Sequence, residues 1–244
     1  MSLVYSDTST QRGILQKIER NVYGQDAVGR ITNNPTLLAQ WTADVNLALD
    51  GVLALIFLAD GRWQFDDANH VTYPTLTTNL VTSQRNYDFT EDTEGNLLLD
   101  IRRVYILNNS VYEEIFPVDE LGETGFYSGQ NLTGVPYRYG KKADGIFLDP
   151  IPTSNITAGL KVEVSREGSY FATDSTTKKP GFDGRFHEYL ALRPSFEYAS
   201  VNGLSNVREL ESRMIAMENG IKKAYSRRAK DEQNVLSPEP ICAE

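Results

Sequence analysis

The sequence predicts an α+β protein. Terminal helices pack as a helical bundle, a central antiparallel β-rich domain is inserted between them, and an extended C-terminal tail follows. Three observations carry this expectation. Apolar residues recur at the helical period near both ends of the chain, the middle is rich in β-branched and aromatic residues punctuated by turn formers, and the last stretch holds Pro238 and Pro240 among few apolar residues. The expected organisation is an N-terminal helical part over 1–68, the inserted β-rich domain over 69–180, C-terminal helices completing the bundle over 181–231, and the tail over 232–244.

The elements follow in order. Ile14, Leu15, Ile18 and Val22 mark one face of a short helix from Gly13 to Tyr23. Asn33-Asn34-Pro35 breaks the pattern, and Pro35 suits the first turn of a new helix. That helix runs from Thr36 to Leu58 on Leu37, Leu38, Trp41, Val45, Ala48, Leu49, Val52, Leu53 and Ile56, and Asp60-Gly61 stops it. Leu160 to Arg166 is the clearest strand, with Leu160, Val162 and Val164 facing a core and Lys161, Glu163 and Ser165 facing water. Tyr137–Tyr139 and Ile146–Leu148 read as a hairpin turning at Asp144-Gly145. Asn86–Phe89 is expected to pair with Leu97–Ile101 across Glu94-Gly95-Asn96, and a strand Arg103–Leu107 to follow. Arg185 to Ala199 is helical, with Pro194 kinking or ending its first segment near Leu192. The last helix, about Asn206 to Asp231, carries Val207, Leu210, Met214, Met217, Ile221 and Tyr225 on one face.

Composition excludes several classes. A formal charge of −9 and a pI near 4.9 argue against a protein whose task is to grip nucleic acid phosphates. The single cysteine, Cys242, permits no internal disulfide and no thiolate zinc cluster. The longest unbroken apolar run, Val52 to Ala59, is far short of the roughly 20 residues that span a bilayer. The first residues show no basic start followed by an apolar stretch, so no secretory signal is read and the expectation is a protein without membrane attachment.

Motifs for chemistry are incomplete. His187-Glu188 begins the His-Glu-x-x-His pattern, but position 191 is Ala, so a packed or capping histidine is the reading; His70 has no recognisable partner. Placing Gly95 at the centre of a calcium loop puts Thr90 and Ile101 at ligand positions that need acids, and a hairpin turn explains the same residues. Gly122, Gly125, Gly129 and Gly134 lack a phosphate-loop ending and read as a surface loop. Glu113-Glu114 or Asp119-Glu120 could serve a glycoside hydrolase only if held roughly 5 to 10 Å apart in a cleft. No catalytic, metal or cofactor-binding residue is assigned. One cluster stands out: Lys222, Lys223, Arg227, Arg228 and Lys230, with no acid from 221 to 230. It is either a solvated helix end with cations where the dipole favours them, or a docking surface for an acidic partner or for DNA passing nearby.

Several stretches recur in a familiar order: Gly13–Arg20, Leu37-Leu38-Ala39-Gln40-Trp41 to Asn46, Asn86–Phe89 leading to Ile101-Arg102-Arg103-Val104, Gly134–Tyr139, Ile146–Pro152 with the Leu160 to Arg166 strand, and Phe186-His187-Glu188-Tyr189-Leu190. In this order the chain resembles the head-to-tail adaptors of tailed bacteriophages, the head-completion or connector proteins beneath the portal ring. Each stretch is a strand or helix pattern, and the likeness lies in their order. Pro194 and the Leu121–Gly134 loop are unusual features. The resemblance implies a non-enzymatic structural protein at the head–tail interface of the virion, assembled in the host cytoplasm. It implies a homo-oligomeric ring, typically of twelve copies, bound to the portal protein through the helical part and tail. The β domain would face a downstream tail protein of the tube, nozzle or hub, and genomic double-stranded DNA would pass through the channel without sequence-specific binding. It implies no cofactor.

The residues themselves agree with such a role. Val235, Leu236, Pro238, Pro240 and Ile241 have little to bury at home, so a portal or neighbour groove would complete them, and Lys222, Lys223, Arg227 and Arg228 are the charged candidates beside them. Two other classes stay open: a virion-associated enzyme cleaving glycan or peptidoglycan with carboxylates of the β block, and a β-rich receptor-binding tail component. Against the latter, much of the chain reads as helix, and aromatics such as Tyr127 and Tyr137 are no denser than turns and strand edges require.

Overall fold

The computed structural model describes residues 2–59, 75–92, 95–118, 132–142 and 145–226. It is an α+β fold of four helices and a curled seven-stranded sheet, with a further two-stranded pair.

Helix α1 (Ile14–Tyr23) buries Ile14, Leu15 and Ile18. Its first amides are not left open, because Ile14 and Leu15 donate to the carbonyls of Val4 and Tyr5 at 3.0 and 3.1 Å. Gly13 is required by that approach, since a Cβ there would lie 2.5 Å from the amide nitrogen of Asp7. The buried Glu19 carboxyl accepts backbone N–H groups of Gly29, Ile31 and Thr32 at 3.3, 2.7 and 3.4 Å. It thereby folds the following loop back and sets Ile31 in the core.

Helix α2 (Pro35–Ala59) starts where the sequence places it, with Asn34 Oδ1 accepting the amides of Thr36 and Leu37 at 3.1 and 3.2 Å. Trp41, Val45, Leu49, Val52, Leu53 and Ile56 form its inner face. Asp60-Gly61 lies outside the described residues.

Helix α3 (Tyr189–Asn202) corrects one expectation, because it runs through Pro194 without ending near Leu192. Proline removes one bond, that to the Leu190 carbonyl, and close to the start of a helix this is a limited loss. Pro194 and its neighbours Leu190, Ala191 and Leu192 are buried, and Ser195 Oγ donates to the Ala191 carbonyl at 2.6 Å. Packing therefore holds the segment helical. Gly203, at φ 64°, ends it in the left-handed conformation. Helix α4 (Val207–Ser226) buries Leu210, Met214, Ile221 and Tyr225, with Met217 partly buried.

The strands are β1 (Thr75–Leu80), β2 (Asn86–Asp88), β3 (Leu98–Asn108), β4 (Val111–Pro117), β5 (Thr133–Gly134), β6 (Arg138–Lys142), β7 (Gly145–Asp149), β8 (Ile151–Pro152) and β9 (Ile156–Arg166). The large sheet runs β1-β9-β3-β4-β6-β7-β2, and β5 pairs with β8. Its two edge strands, β1 and β2, are joined by residues 81–85, so the sheet curls; Tyr87 Oη accepts the Val81 amide at 2.9 Å across that corner.

Four expectations about the strands are corrected. The sheet is not wholly antiparallel, since β4 and β6 run parallel, as do β5 and β8. Asn86–Asp88 pairs with β7 rather than with Leu97–Ile101. Gly145 allows it, because a Cβ there would sit 2.3 Å from the Tyr87 carbonyl oxygen. Only an isolated bridge joins Glu91 to Leu97. The stretches 97–101 and 103–107 belong to one strand, β3, whose register against β9 shifts between Ile101 and Arg103. It turns into β4 at Asn109 and Ser110, both at positive φ, a two-residue hairpin that the sequence reading lacked. Lastly, Ser165 is buried, taking a 2.7 Å bond from Arg102 Nε, because the end of β9 is covered on both faces. There the Arg166 guanidinium lies 3.4 Å from the Asp92 carboxylate, both nearly inaccessible. Leu160, Val162 and Val164 face the core as expected.

Buried apolar side chains form two clusters. One draws on residues 3–56 and 171–225, including every helix, and the other on residues 80–164 of the strands. Asn46 of α2 meets the chain leaving the sheet, donating to the Phe171 carbonyl at 3.0 Å and accepting its amide at 2.9 Å, while Tyr5 stacks on the Phe171 ring at 4.8 Å.

Replacing Glu19 by Ala should cost about 1–3 kcal/mol in urea denaturation, since it strands buried amides. Glu19→Gln, which keeps one acceptor oxygen, should recover part of the loss.

Candidate partner-binding surface

Helix α4 positions the cationic residues. Its inner face is seated by Leu210, Met214, Ile221 and Tyr225, and Tyr225 Oη accepts the Asp183 amide at 3.1 Å. Lys222 and Lys223 follow Ile221 and turn outward into solvent. Arg227, Arg228 and Lys230 lie outside the described residues, as do Val235, Leu236, Pro238, Pro240 and Ile241 of the tail.

A second basic feature escaped sequence reasoning. A recess of about 300 Å³ is lined by Arg12, Lys17, Arg20 and Arg185 together with Leu3, Gly184 and Glu188. Arg20 donates to the Gln11 carbonyl at 2.6 Å and Arg185 pairs with Asp183 at 2.6 Å. Glu188 bridges Lys17 at 2.9 Å and Arg213 at 2.7 Å, tying α1 to α4. Burial works to raise the Glu188 carboxyl, but the bond from Lys17 and the two positive charges outweigh it and hold the group below the ordinary carboxylate range. Lys17 and Arg185 are each paired with a carboxylate, so Arg12 and Arg20 carry the positive excess of the recess. Its charges come from opposite ends of the chain, so no run of basic residues announces it. The spacing of Arg12, Lys17 and Arg20 was the available signal.

The tested motifs resolve into structural roles. His187 is buried, with Nε2–H donating to the Phe182 carbonyl at 2.9 Å and Nδ1 accepting the Leu3 amide at 3.1 Å. Burial pushes its pKa below 6.5, the ordinary histidine value. His70 lies outside the described residues. Asp92 accepts the Asn96 amide at 2.9 Å within a turn that contains Gly95 at φ 82°, the turn expected in place of a calcium loop. Glu113 and Glu114 are adjacent on β4 and so face opposite ways; Asn108 bonds the first at 3.3 Å and Arg103 lies 3.9 Å from the second. Asp119-Glu120 and most of the Leu121–Gly134 loop fall outside the described residues. Among the described residues no three His, Cys, Asp or Glu side chains are grouped to hold a metal.

One composition-based expectation needs correction. Counting an unbroken apolar run hid the fact that α2 as a whole is long and apolar enough to cross a bilayer, because isolated polar residues such as Asp44, Asn46 and Asp50 interrupt the run. Its inner face nevertheless belongs to the helical core.

No protein-family model matches the chain, and no curated protein matches it.

The histidine yields a prediction with a definite sign. In the folded state His187 resists protonation, whereas in the unfolded chain it titrates near 6.5. Its stabilising contribution is therefore present above that value and is lost as pH falls through the lower folded value. His187→Gln should be about 1–2 kcal/mol less stable at pH 7. The gap to wild type, followed by thermal denaturation, should narrow as pH is lowered from 7 to 5.

Proposed function

We propose that the protein is a structural head-to-tail connector of a tailed-phage virion, a ring under the portal that extends the DNA channel and docks the tail. In this reading the helices form a bundle that bears the ring and portal contacts, and the β-rich part over 69–180 is an insertion projecting toward tail components. The observation that carries it is the division of the buried side chains. Residues before β1 and after β9 share one apolar cluster, while the strands between them build another. A chain that leaves a helical base, forms a sheet and returns offers two surfaces at once, one for each neighbour in a stack. The order of sequence stretches that resembles the adaptor family supports the same reading, as does the acidic charge, since a channel wall that repels phosphate lets DNA slide.

The role has an assembly consequence. Twelve copies each carrying −9 repel one another within the screening length of about 8 Å at physiological salt. The free protein is then a monomer, and portal binding drives ring formation. Native mass spectrometry of the protein, alone and mixed with the portal protein from the same genome, tests this. A monomer that becomes a stoichiometric ring on the portal is the expected result, and a chain lacking 232–244 should stay folded yet fail to attach. A folded protein that ignores the portal would sink the proposal, and a stable ring of the free protein at low salt would refute the driven-assembly step.

Replacing Lys222, Lys223, Arg227 and Arg228 together by Gln should weaken assembly about tenfold, as expected for several rim charges of a few tenths of a kcal/mol each. An unchanged affinity in titration would return these residues to a solvated helix end.

A further inference from the structure

We propose that the outward face of α2 seats a second copy of this chain, whose α4 lies along it, so that copies join head to tail. Helix α2 is apolar almost all round, yet only one side of it meets the core. The other side presents Leu47, Gly51, Ala54 and Leu58 at i, i+4, i+7 and i+11, with Leu47 63% and Leu58 83% exposed. Among the described residues nothing covers this stripe. Solvated helix faces are ordinarily polar, so an apolar stripe of this length marks a contact surface.

Gly51 sharpens the argument. Glycine inside a helix is destabilising relative to alanine, because more backbone freedom is lost on folding. It is tolerated where a neighbour must approach the backbone closely. Within one copy no such neighbour exists among the described residues, since a Cβ at Gly51 would meet nothing within 4 Å. Nothing among the described residues of one copy gives a reason for the glycine, and a second copy would supply one.

Charge identifies the occupant. The only charged side chains of α2 are Asp44 and Asp50, both exposed. Two α2 faces set against each other would bring like carboxylates together in one apolar contact, which disfavours a symmetric dimer through this helix. Anionic lipid headgroups would meet the same repulsion. The second half of α4 offers the complement: Ile215, Asn219 and Lys222 recur at i, i+4 and i+7, Ile215 is 46% exposed, and Lys222 and Lys223 are free in solvent. Ile215 fits the shallow ground over Gly51 and Ala54, and the lysines reach the aspartates. Because the two surfaces differ, the contact is heterologous and repeats into a closed ring or an open filament. Closure into a ring rests on the connector reading; the pairing of the faces does not.

Disulfide trapping tests the pairing in the full chain with Cys242→Ser. Leu47→Cys and Ile215→Cys chains are mixed at high concentration under mild oxidation, in about 0.5 M salt to screen the net charge. The expected result is cross-linked dimers from the mixture, monomer from either chain alone, and a ladder of oligomers from the chain carrying both changes. Gly51→Leu, which has room in the single copy and a better helix propensity, should abolish the ladder without lowering Tm. Dimers formed by Leu47→Cys alone would overturn the proposal, as would absence of any cross-link, or flotation of the wild-type protein with vesicles of neutral lipid in place of cross-linking. A ladder without portal binding would keep the pairing and sink the connector reading. A ring on the portal without 47–215 links would do the reverse.

Discussion

The helical part of the molecule depends on the segment Leu3–Tyr5. In three residues it donates to His187 at 3.1 Å and to the Lys178 carbonyl at 2.8 Å, supplies the carbonyls that satisfy the first amides of α1, and sends the Tyr5 hydroxyl to Thr42 of α2 at 2.5 Å. Tyr5 and Leu3 are buried where these elements meet. An extended segment can do this because its backbone groups are not consumed by a helix of its own, so they are available to neighbours on several sides. Burial in the same arrangement is what disfavours a charged His187: Nε2–H donates to the Phe182 carbonyl and Nδ1 lies 3.1 Å from both the amide and the carbonyl of Leu3, so the desolvation of a second proton outweighs the acceptors within reach. Stability of the helical part and the protonation of one imidazole are thus linked.

Periodicity made the local elements legible. Helices α1 and α2 begin and end close to where the apolar stripes and Asn33-Asn34-Pro35 place them, and β9 alternates as read from Leu160 to Val164. What was hidden is what depends on partners far along the chain. Asn86–Asp88 has a turn former and a neighbouring strand within reach, but its pairing goes to β7, where Gly145 admits a backbone that other residues would exclude. Pro194 looks like a break because its local cost is visible, whereas the core that offsets it is not. Ser165 and Arg166 look like the wet end of a strand until Arg102 and Asp92 arrive from elsewhere.

The same distinction governs the candidate surface. A cationic run such as Lys222-Lys223 is visible because its members are consecutive, while the recess of Arg12, Lys17, Arg20 and Arg185 exists only after two distant segments meet. The apolar outward face of α2 fell between the two. The periodic stripe from Leu37 to Ile56 is the inner face and leaves out Leu47 and Ala54, and whether an apolar helix is wider than the core can cover is a three-dimensional question. Acidic overall charge and local basic islands together describe a molecule that avoids indiscriminate contact and reserves attraction for particular patches.

The shared cluster of the two chain ends also orders events during synthesis. The strands can complete their pairings once β9 has been made, since their contacts close loops such as Asn79 to Ala158. Helices α1 and α2 are translated first yet wait longest, because α3, α4 and the Leu3–His187 bond, 184 residues apart, come last. For that interval α2 has neither its inner nor its outer face covered by partners from its own chain's end. A nascent chain in this state presents a long apolar helix to the ribosome exit, and holding it out of wrong associations until residue 225 emerges is a task for the cell's folding machinery.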